Sequence, residues 1–345
     1  MTAPSLVQKK ILLLFCGGTI SMHKNPETGA LDVANDTEQL FRLEPRIREI
    51  CDLSTTFIDN IDSTNMLHTH WERIVGVIST QYDQYDGFVI TMGTNTMAYC
   101  SAAISFALQN IGKPVAITGA QIPAESLSTD ARSNLVNAIR LSTMNLAGVF
   151  VVFGSRIIRG CRAKKISESE LDAFKTFNQK DFGEIGVSIF FNFKQPRHAE
   201  PLRAQNGFDD RVVCLTMIPG LRPNVIPQLI DSGTRGIILR AYGSGDIPYT
   251  FTPSLEYAKH KEVPIVITTQ CPGGATVMGV NDVGLKALQT GVIQAFDMCM
   301  EAMSTKLMWL LGQDTPYKEI KGLMEQNLIG ELDSSRAAII MGIEE

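Results

Sequence analysis

Four short apolar runs in the first half of the chain each stop at a glycine or a polar turn, and this pattern restricts the fold more than any other feature. Residues 11–15 lead into Gly17-Gly18-Thr19, 87–92 into Gly93-Thr94-Asn95-Thr96, 115–118 into Gly119-Ala120-Gln121, and 148–153 into Gly154-Ser155. Strands that are apolar throughout, without polar alternation, are buried on both faces, as in parallel sheets. Between them lie stretches with helical spacing at 72–81, 96–109 and 130–146, the last with Leu135, Val136, Ile139 and Leu146 in register. Strand–turn–helix repetition predicts an α/β fold whose larger, N-terminal part is a mostly parallel, doubly wound sheet.

Near 194–211 the periodicity fails. Pro196, Pro201, Gly207 and the pair Asp209-Asp210 read as a linker. Beyond it the pattern resumes. Residues 212–218 lead to Pro219-Gly220, 236–241 to Tyr242-Gly243-Ser244-Gly245-Asp246, and 263–269 to Gln270-Cys271-Pro272-Gly273-Gly274, with helices expected at 281–289, 299–311 and 317–326. The expected organisation is an N-terminal catalytic domain over 1–193, a linker over 194–210 and a smaller C-terminal α/β domain over 211–345 that helps close a crevice or forms a subunit contact. A chain of 345 residues is long enough for two hydrophobic cores.

A net charge of −5 gives no electrostatic reason to expect nucleic acid or an anionic membrane as partner. Seven scattered cysteines without a Cys-x-x-Cys pair argue against a disulfide framework and for a cytoplasmic location. His68 and His70 form the one close histidine pair, and no acidic or cysteine cluster accompanies them, so no metal site is expected. Lys9-Lys10 before the run 11–15 mimics a signal sequence, but the apolar run is too short for secretion and bulky Phe15 precedes Cys16. No other segment approaches the ~20 apolar residues of a membrane span.

In an open parallel sheet the carboxyl ends of the strands share one edge, and ligands bind there. Thr19, Thr94 and Lys165 each follow one of the apolar runs, so three distant segments converge two hydroxyls and an amine on one crevice. That is the inventory for nucleophilic acyl transfer, in which a threonine attacks and a lysine manages protons. Each segment alone also has an ordinary structural reading. Gly17-Gly18 suits a tight turn and lacks the spacing of a nucleotide-binding loop. Asp62-Ser63-Thr64-Asn65 and Asn95-Thr96 suit helix caps. The basic run Arg156, Arg159, Arg162, Lys164 and Lys165 suits a solvated face, and Cys16 and Cys271 read as small buried residues rather than nucleophiles.

Taken together, these segments resemble the bacterial-type L-asparaginases, in particular their cytoplasmic type I branch. The matching segments are Cys16-Gly17-Gly18-Thr19-Ile20, Met92-Gly93-Thr94-Asn95-Thr96-Met97-Ala98-Tyr99, Thr118-Gly119-Ala120-Gln121-Ile122-Pro123, Asn134-Leu135-Val136-Asn137-Ala138, Arg159-Gly160, Lys165 and Asp172-Ala173-Phe174. In the second half they are Tyr242-Gly243, Thr269-Gln270-Cys271 and Gly330-Glu331-Leu332. The resemblance runs nearly end to end and implies a two-domain asparaginase fold. It implies that Thr19 forms an acyl-enzyme with the substrate's side-chain carbonyl, and that Thr94 and Lys165 act as a second hydroxyl–amine pair. Asp62, Ser63 and Thr64 would hold the substrate α-carboxylate, with Asn95 beside them, and Lys164, Arg240 and Cys271 fall at positions of an effector site. It implies no cofactor, a small-molecule amide as partner, and a homodimer or homotetramer.

Four departures sit in or beside that site. Asn95 stands where the family has Asp, Met92 where it has His and Cys16 where it has Thr, and the segment Asn25-Pro26-Glu27-Thr28-Gly29-Ala30-Leu31 carries no Tyr. The family's Asp pairs with the substrate ammonium and the catalytic lysine. A neutral amide supplies no charge there, so the pKa of Lys165 should fall and the preferred substrate should shift to an amide lacking a free α-ammonium. Two other functions fit the same segments: a catalytically impaired binding or regulatory protein, and the asparaginase-like subunit of a tRNA-dependent amidotransferase.

Overall fold

The computed structural model describes residues 8–18, 44–194 and 200–333, together with the backbone alone of 22–24 and 31–33. Thr19 and positions 25–30 of the segment without Tyr lie outside the described residues. The chain divides into two compact units, Met1–Asn206 and Gly207–Glu345.

The first unit is built on an eight-stranded sheet. Its strands are β1 (Lys10–Phe15), β2 (Asp52–Phe57), β3 (Gly87–Thr91), β4 (Pro114–Thr118), β5 (Gly148–Phe153) and β6 (Arg156–Arg159), followed, after β7 (Ala163–Lys165) and β8 (Phe174–Thr176), by β9 (Gly183–Ile185) and β10 (Ile189–Phe191). The spatial order is β10-β9-β6-β5-β4-β3-β1-β2. The five strands β2-β1-β3-β4-β5 are parallel, with Leu13 opposite both Thr55 and Val89. The remaining three are antiparallel, and β7 pairs with β8 in a separate two-stranded ribbon. Every residue of β3 and β4 is buried, as apolar strands covered on both faces require.

Among the described residues, three long helices cover this sheet, with the single turn Ile47–Ile50 beside them. Helix α1 (His68–Gln81) buries Trp71, Ile74, Val75 and Ile78, an i, i+3, i+4, i+7 stripe. It starts four residues earlier than its apolar spacing indicates, because the Leu67 N–H donates to Nδ1 of His70 at 3.0 Å and closes the first turn. Helix α2 (Met97–Ala107) is buried on nearly all sides and is correspondingly rich in Ala and Ser. Helix α3 (Ala131–Ser142) packs Leu135, Ala138 and Ile139 into a core with Leu13, Val89, Ala116 and Phe150.

The second unit has a four-stranded parallel sheet, β11 (Val212–Thr216), β12 (Gly236–Ala241), β13 (Ile265–Thr269) and β14 (Ile293–Gln294), in that order. Its helices are α4 (Val225–Asp231), α5 (Thr252–His260), α6 (Asp282–Gln289), α7 (Met300–Gly312) and α8 (Tyr317–Glu325). Ile237, Leu239, Ile265, Ile267, Phe251 and Leu255 form its core. The whole is the expected two-domain α/β architecture: a large, mostly parallel sheet followed in sequence by a smaller α/β domain. Among the described residues no helix is long and apolar enough to cross a membrane.

Three local readings of the sequence differ from the structure. The stretch read as a linker is not all irregular, since Arg203–Ala204 pairs antiparallel with Leu108–Gln109. The basic run is not a solvated face: Arg162 is fully buried, Arg156 pairs with Asp181, and the Arg159 guanidinium lies 5.1 Å above the Phe182 ring. Cys271 is exposed, whereas Cys16 is buried as expected. In each case the deciding partner lies far away in sequence or the turn faces outward, and no local pattern encodes either.

Candidate active site

The chain passes from β1 to β2 on one side and then crosses to β3 on the other, so the strand order reverses at β1. The carboxyl ends of β1 and β3 therefore flank a topological switch point, where open α/β sheets form their ligand crevice. Gly17 and Gly18 occupy this edge with φ of +82° and +89°, a conformation that side chains resist. A Cβ on Gly18 would lie 2.3 Å from the Gly93 nitrogen, and one on Gly17 would lie 2.5 Å from the Ile61 oxygen. Gly18 is thus in backbone contact with the turn that carries Thr94.

The other predicted residues of this edge meet in one hydrogen-bonded network. Lys165 Nζ donates to Thr94 Oγ1 at 2.8 Å and to Asn95 Oδ1 at 2.9 Å. Asn95 Nδ2 donates to Thr64 Oγ1 at 3.0 Å, and the Asn95 N–H donates to Ser63 Oγ at 3.2 Å. Thr96 Oγ1 donates to the Ser63 carbonyl at 2.7 Å, and the Thr64 N–H to Asp62 Oδ1 at 2.8 Å. Asp62 is the N-cap of the short 3-10 turn Ser63–Asn65 and not of the helix that carries Trp71, whose N-cap is Leu67. Thr94, Asn95, Lys165, Asp62, Ser63 and Thr64 are thereby brought together.

Lys165 is not presented on a loop straight after β5. The chain first turns back through β6, passes a 3-10 turn at Gly160–Arg162, and then forms β7. Ser101 Oγ of α2 donates to the Gly160 carbonyl at 2.9 Å, and a Cβ on Gly160 would lie 2.7 Å from Ser105 Oγ. The turn is therefore pinned to α2, whose first residues follow Thr94-Asn95-Thr96. One helix fixes both halves of the Lys165–Thr94 contact.

Burial lowers the pKa of Lys165 from its ordinary value, and the nearby Glu168 carboxylate partly offsets this. Among the described residues no carboxylate forms an ion pair with Lys165; its two acceptors are a hydroxyl and an amide. The direction agrees with the expected fall, but burial is its leading cause. The Thr64 N–H, then the Thr64 hydroxyl, lower the Asp62 pKa and keep it ionised. Cys16 is a poor nucleophile, because burial, then Asp59, drives its thiol pKa far upward.

Gln121 reads in the sequence as a bare turn residue after β4, yet it joins the network. Its Oε1 accepts from Thr94 Oγ1 at 3.2 Å, and its Nε2 donates to the carbonyls of Glu168 and Glu170 at 3.2 and 3.1 Å. The signal that it belongs to the site is its place on the same sheet edge. Of the predicted effector residues, Lys164 Nζ lies 5.6 Å from the Phe177 ring centre in the first unit. In the second unit Arg240 Nη1 is 3.5 Å from Thr216 Oγ1, and the Cys271 N–H donates to Thr269 Oγ1 at 3.0 Å. Among the described residues no group of three His, Cys, Asp or Glu is placed to hold a metal ion.

A two-domain α/β fold with a threonine–lysine network at its switch point defines the asparaginase class, and comparison with known proteins agrees. The family model for the N-terminal domain of asparaginase matches residues 10–197, and that for the glutaminase/asparaginase C-terminal domain matches residues 211–324. The chain belongs to the asparaginase family and is an asparaginase-type amidohydrolase. It is 37% identical to an L-asparaginase of Thermococcus kodakarensis, across 94% of this chain and 100% of the relative. It is 32% identical to a glutamyl-tRNA(Gln) amidotransferase subunit of Pyrococcus abyssi, across 94% of this chain and 76% of that one. The solved L-asparaginase I of Vibrio cholerae superposes with a TM-score of 0.86 at 32% identity, covering 95% of this chain and 100% of that structure.

Proposed function

We propose that the protein hydrolyses the side-chain amide of a small dicarboxylic-acid monoamide, with Thr19 as nucleophile and the Thr94–Lys165 pair managing protons. Thr19 Oγ adds to the amide carbonyl, and the tetrahedral adduct expels ammonia to leave an ester on Thr19. The Thr94 hydroxyl then takes a proton from water as it attacks that ester and passes its own to the Lys165 amine, and that proton is returned to Thr19 Oγ as it leaves, which releases the carboxylic acid and restores Thr19 and the neutral amine. Ser63 and Thr64, on the turn that Asp62 caps, form the pocket for the substrate's α-carboxylate, with hydroxyls suited to an anion. Lys164 in the first unit, and separately Arg240 and Cys271 in the second, are proposed as effector-binding residues, and the assembly as a homodimer or homotetramer.

The observation that carries this proposal is the pairing of Lys165 with a hydroxyl and an amide oxygen, at 2.8 and 2.9 Å. An amine in that position loses its proton more readily than one beside a carboxylate, and so works as a base. The amide of Asn95 also has a definite direction. Its oxygen faces Lys165 and its nitrogen faces Thr64, whose hydroxyl in turn favours the charged form of Asp62. The Asn95 amide itself supplies no negative charge to an α-ammonium, which favours succinamate-like or N-acylated amides over free asparagine. The decisive experiment measures ammonia release from L-asparagine, D-asparagine, L-glutamine, an N-acyl-asparagine, an asparaginyl peptide and succinamate. Thr19→Ala should reduce release by roughly 10³-fold or more, as loss of a nucleophile does. Release that survives the substitution rules out Thr19 as nucleophile, and no release from any amide in folded protein supports a binding role instead.

A second function is favoured by the amidotransferase subunit among the relatives, which matches across most of this chain. It predicts that tRNA and a second protein subunit co-purify with the chain and stimulate its amide hydrolysis.

A further inference from the structure

We propose that Gln121 is a positioning residue for the Thr94–Lys165 pair: its carbonyl oxygen takes the Thr94 hydroxyl proton, and the 167–170 loop fixes which way that oxygen points. The inference rests on the proposed roles of Thr94 and Lys165.

An amide side chain can be turned end for end, and its partners settle which end is which. Here Nε2 meets two carbonyl oxygens, of Glu168 and Glu170, and only an N–H can satisfy them. Oε1 is the end left for Thr94, at 3.2 Å. The loop carrying those carbonyls is itself held by Ser167, whose Oγ accepts from the Ser169 and Glu170 N–H groups at 3.2 and 3.1 Å.

The Thr94 hydroxyl has one proton. With that proton on Gln121, its lone pairs face Lys165 Nζ, which acts as a donor at 2.8 Å. For Lys165 to serve as base, the hydroxyl must swing away from Gln121 toward the amine. A contact of 3.2 Å is long for an O–H···O bond and can be given up. Gln121 therefore sets the resting direction of the proton, and the loop sets Gln121. Its backbone is held independently of its side chain, since the Gln121 and Ile122 N–H groups both donate to the Asp130 carboxylate at 3.0–3.1 Å. The charged group that faces Lys165 is Glu168 of the same loop. The strand end offers it neutral Thr94 and Asn95, and across the ribbon its neighbour is Phe174.

Two variants of the full-length protein test this. Gln121→Met removes the acceptor and both donors. Gln121→Glu keeps an oxygen toward Thr94, cannot donate to the two carbonyls, and adds a negative charge. The first readout is the titration of Lys165, followed as the pH dependence of its acetylation by acetic anhydride, peptide by peptide, in a mass spectrometer. The midpoint should fall in Gln121→Met, because the freed Thr94 proton turns to the neutral amine, and rise in Gln121→Glu, because the new charge favours the ammonium. The second readout is ammonia release from succinamate and L-asparagine. In Gln121→Met, kcat should rise roughly three- to ten-fold, because the hydroxyl no longer gives up one net hydrogen bond to turn toward the amine, with KM little changed. A purely structural role would not move the Lys165 midpoint in opposite directions. Either variant alone decides the sign, so misfolding of one leaves the other as the test. An unchanged midpoint in the folded variants overturns the inference. Acetylation reads Lys165 without turnover, so absence of ammonia release counts against the proposed function and leaves this coupling separately measured.

Discussion

Two lysines, Lys165 in the first unit and Lys306 in the second, sit among polar partners and are treated in opposite ways. In the second unit Lys306 of α7 is fully buried, yet its ammonium is completely answered. It donates to Glu331 Oε1 at 2.5 Å and to the carbonyls of Met324 and Gln326 at 3.0 and 2.6 Å. Glu331 also accepts the Leu328 and Ile329 N–H groups, so the pair clamps the end of α8 and the turn after it onto α7. In the first unit Lys165 is only half-buried and donates to neutral groups. A compensated buried charge holds chain segments in place and resists any change of state. A lysine without a carboxylate partner is free to exchange its proton. The difference separates a polar group used for folding from one used for chemistry.

Substitutions at both positions should sharpen that contrast. Lys165→Met is expected to lower kcat by roughly 10²–10⁴-fold, the range for loss of a proton-transfer group. Its stability should change by no more than about 0.5 kcal/mol, as at other partly exposed sites. Lys306→Met should do the reverse. It leaves the Glu331 carboxylate buried without its cation, a loss of about 3–5 kcal/mol, while the folded fraction keeps its kcat. Urea unfolding beside ammonia release separates the two; equal effects of the two substitutions on stability would break the contrast.

The smallest expected effect comes from giving Lys165 a carboxylate. Only the neutral amine acts as base, so activity rises with pH through the Lys165 pKa and is lost as pH falls below it. Because burial depresses that pKa, the rise should fall below the ordinary lysine range. Asn95→Asp should move it to higher pH and raise activity on free L-asparagine about ten-fold relative to succinamate, the order of one charge-assisted bond. A pH–rate profile on both substrates reads the two effects, and failure of asparagine activity to rise refutes the account of specificity.

Four of the five parallel strands of the first unit are legible in the sequence because burial on both faces leaves an unbroken apolar run, and because the turns that follow must be polar at a solvent-facing edge. Hence Thr94 and Asn95 can be picked out from residue order alone, whereas the 62–64 turn follows β2, a half-buried edge strand with no apolar run to mark it. The route to Lys165 is not legible. Two isoleucines between Arg156 and Arg159 look like any surface strand, and the groups that enclose those arginines, Asp181 and Phe182, come more than 20 residues later. Gln121 is hidden for the same reason, since Glu168 lies 47 residues onward. Cys271 looks like a core residue because it follows a buried strand, yet the turn after β13 faces outward.

The bare backbones of Gly18 and Gly93 touch where β1 and β3 end. Adjacent strands are held about 4.8 Å apart by their ladder of hydrogen bonds. The gap between the Gly18 and Gly93 turns is therefore a property of the sheet and owes nothing to the fit of side chains around it. Random drift of core residues can reshape the walls of the crevice without altering that gap. A single methyl group at position 18 would wedge it open, and one at position 93 would strike Ser63 instead. Evolution can thus tune what this site accepts far more easily than it can move the parts that react.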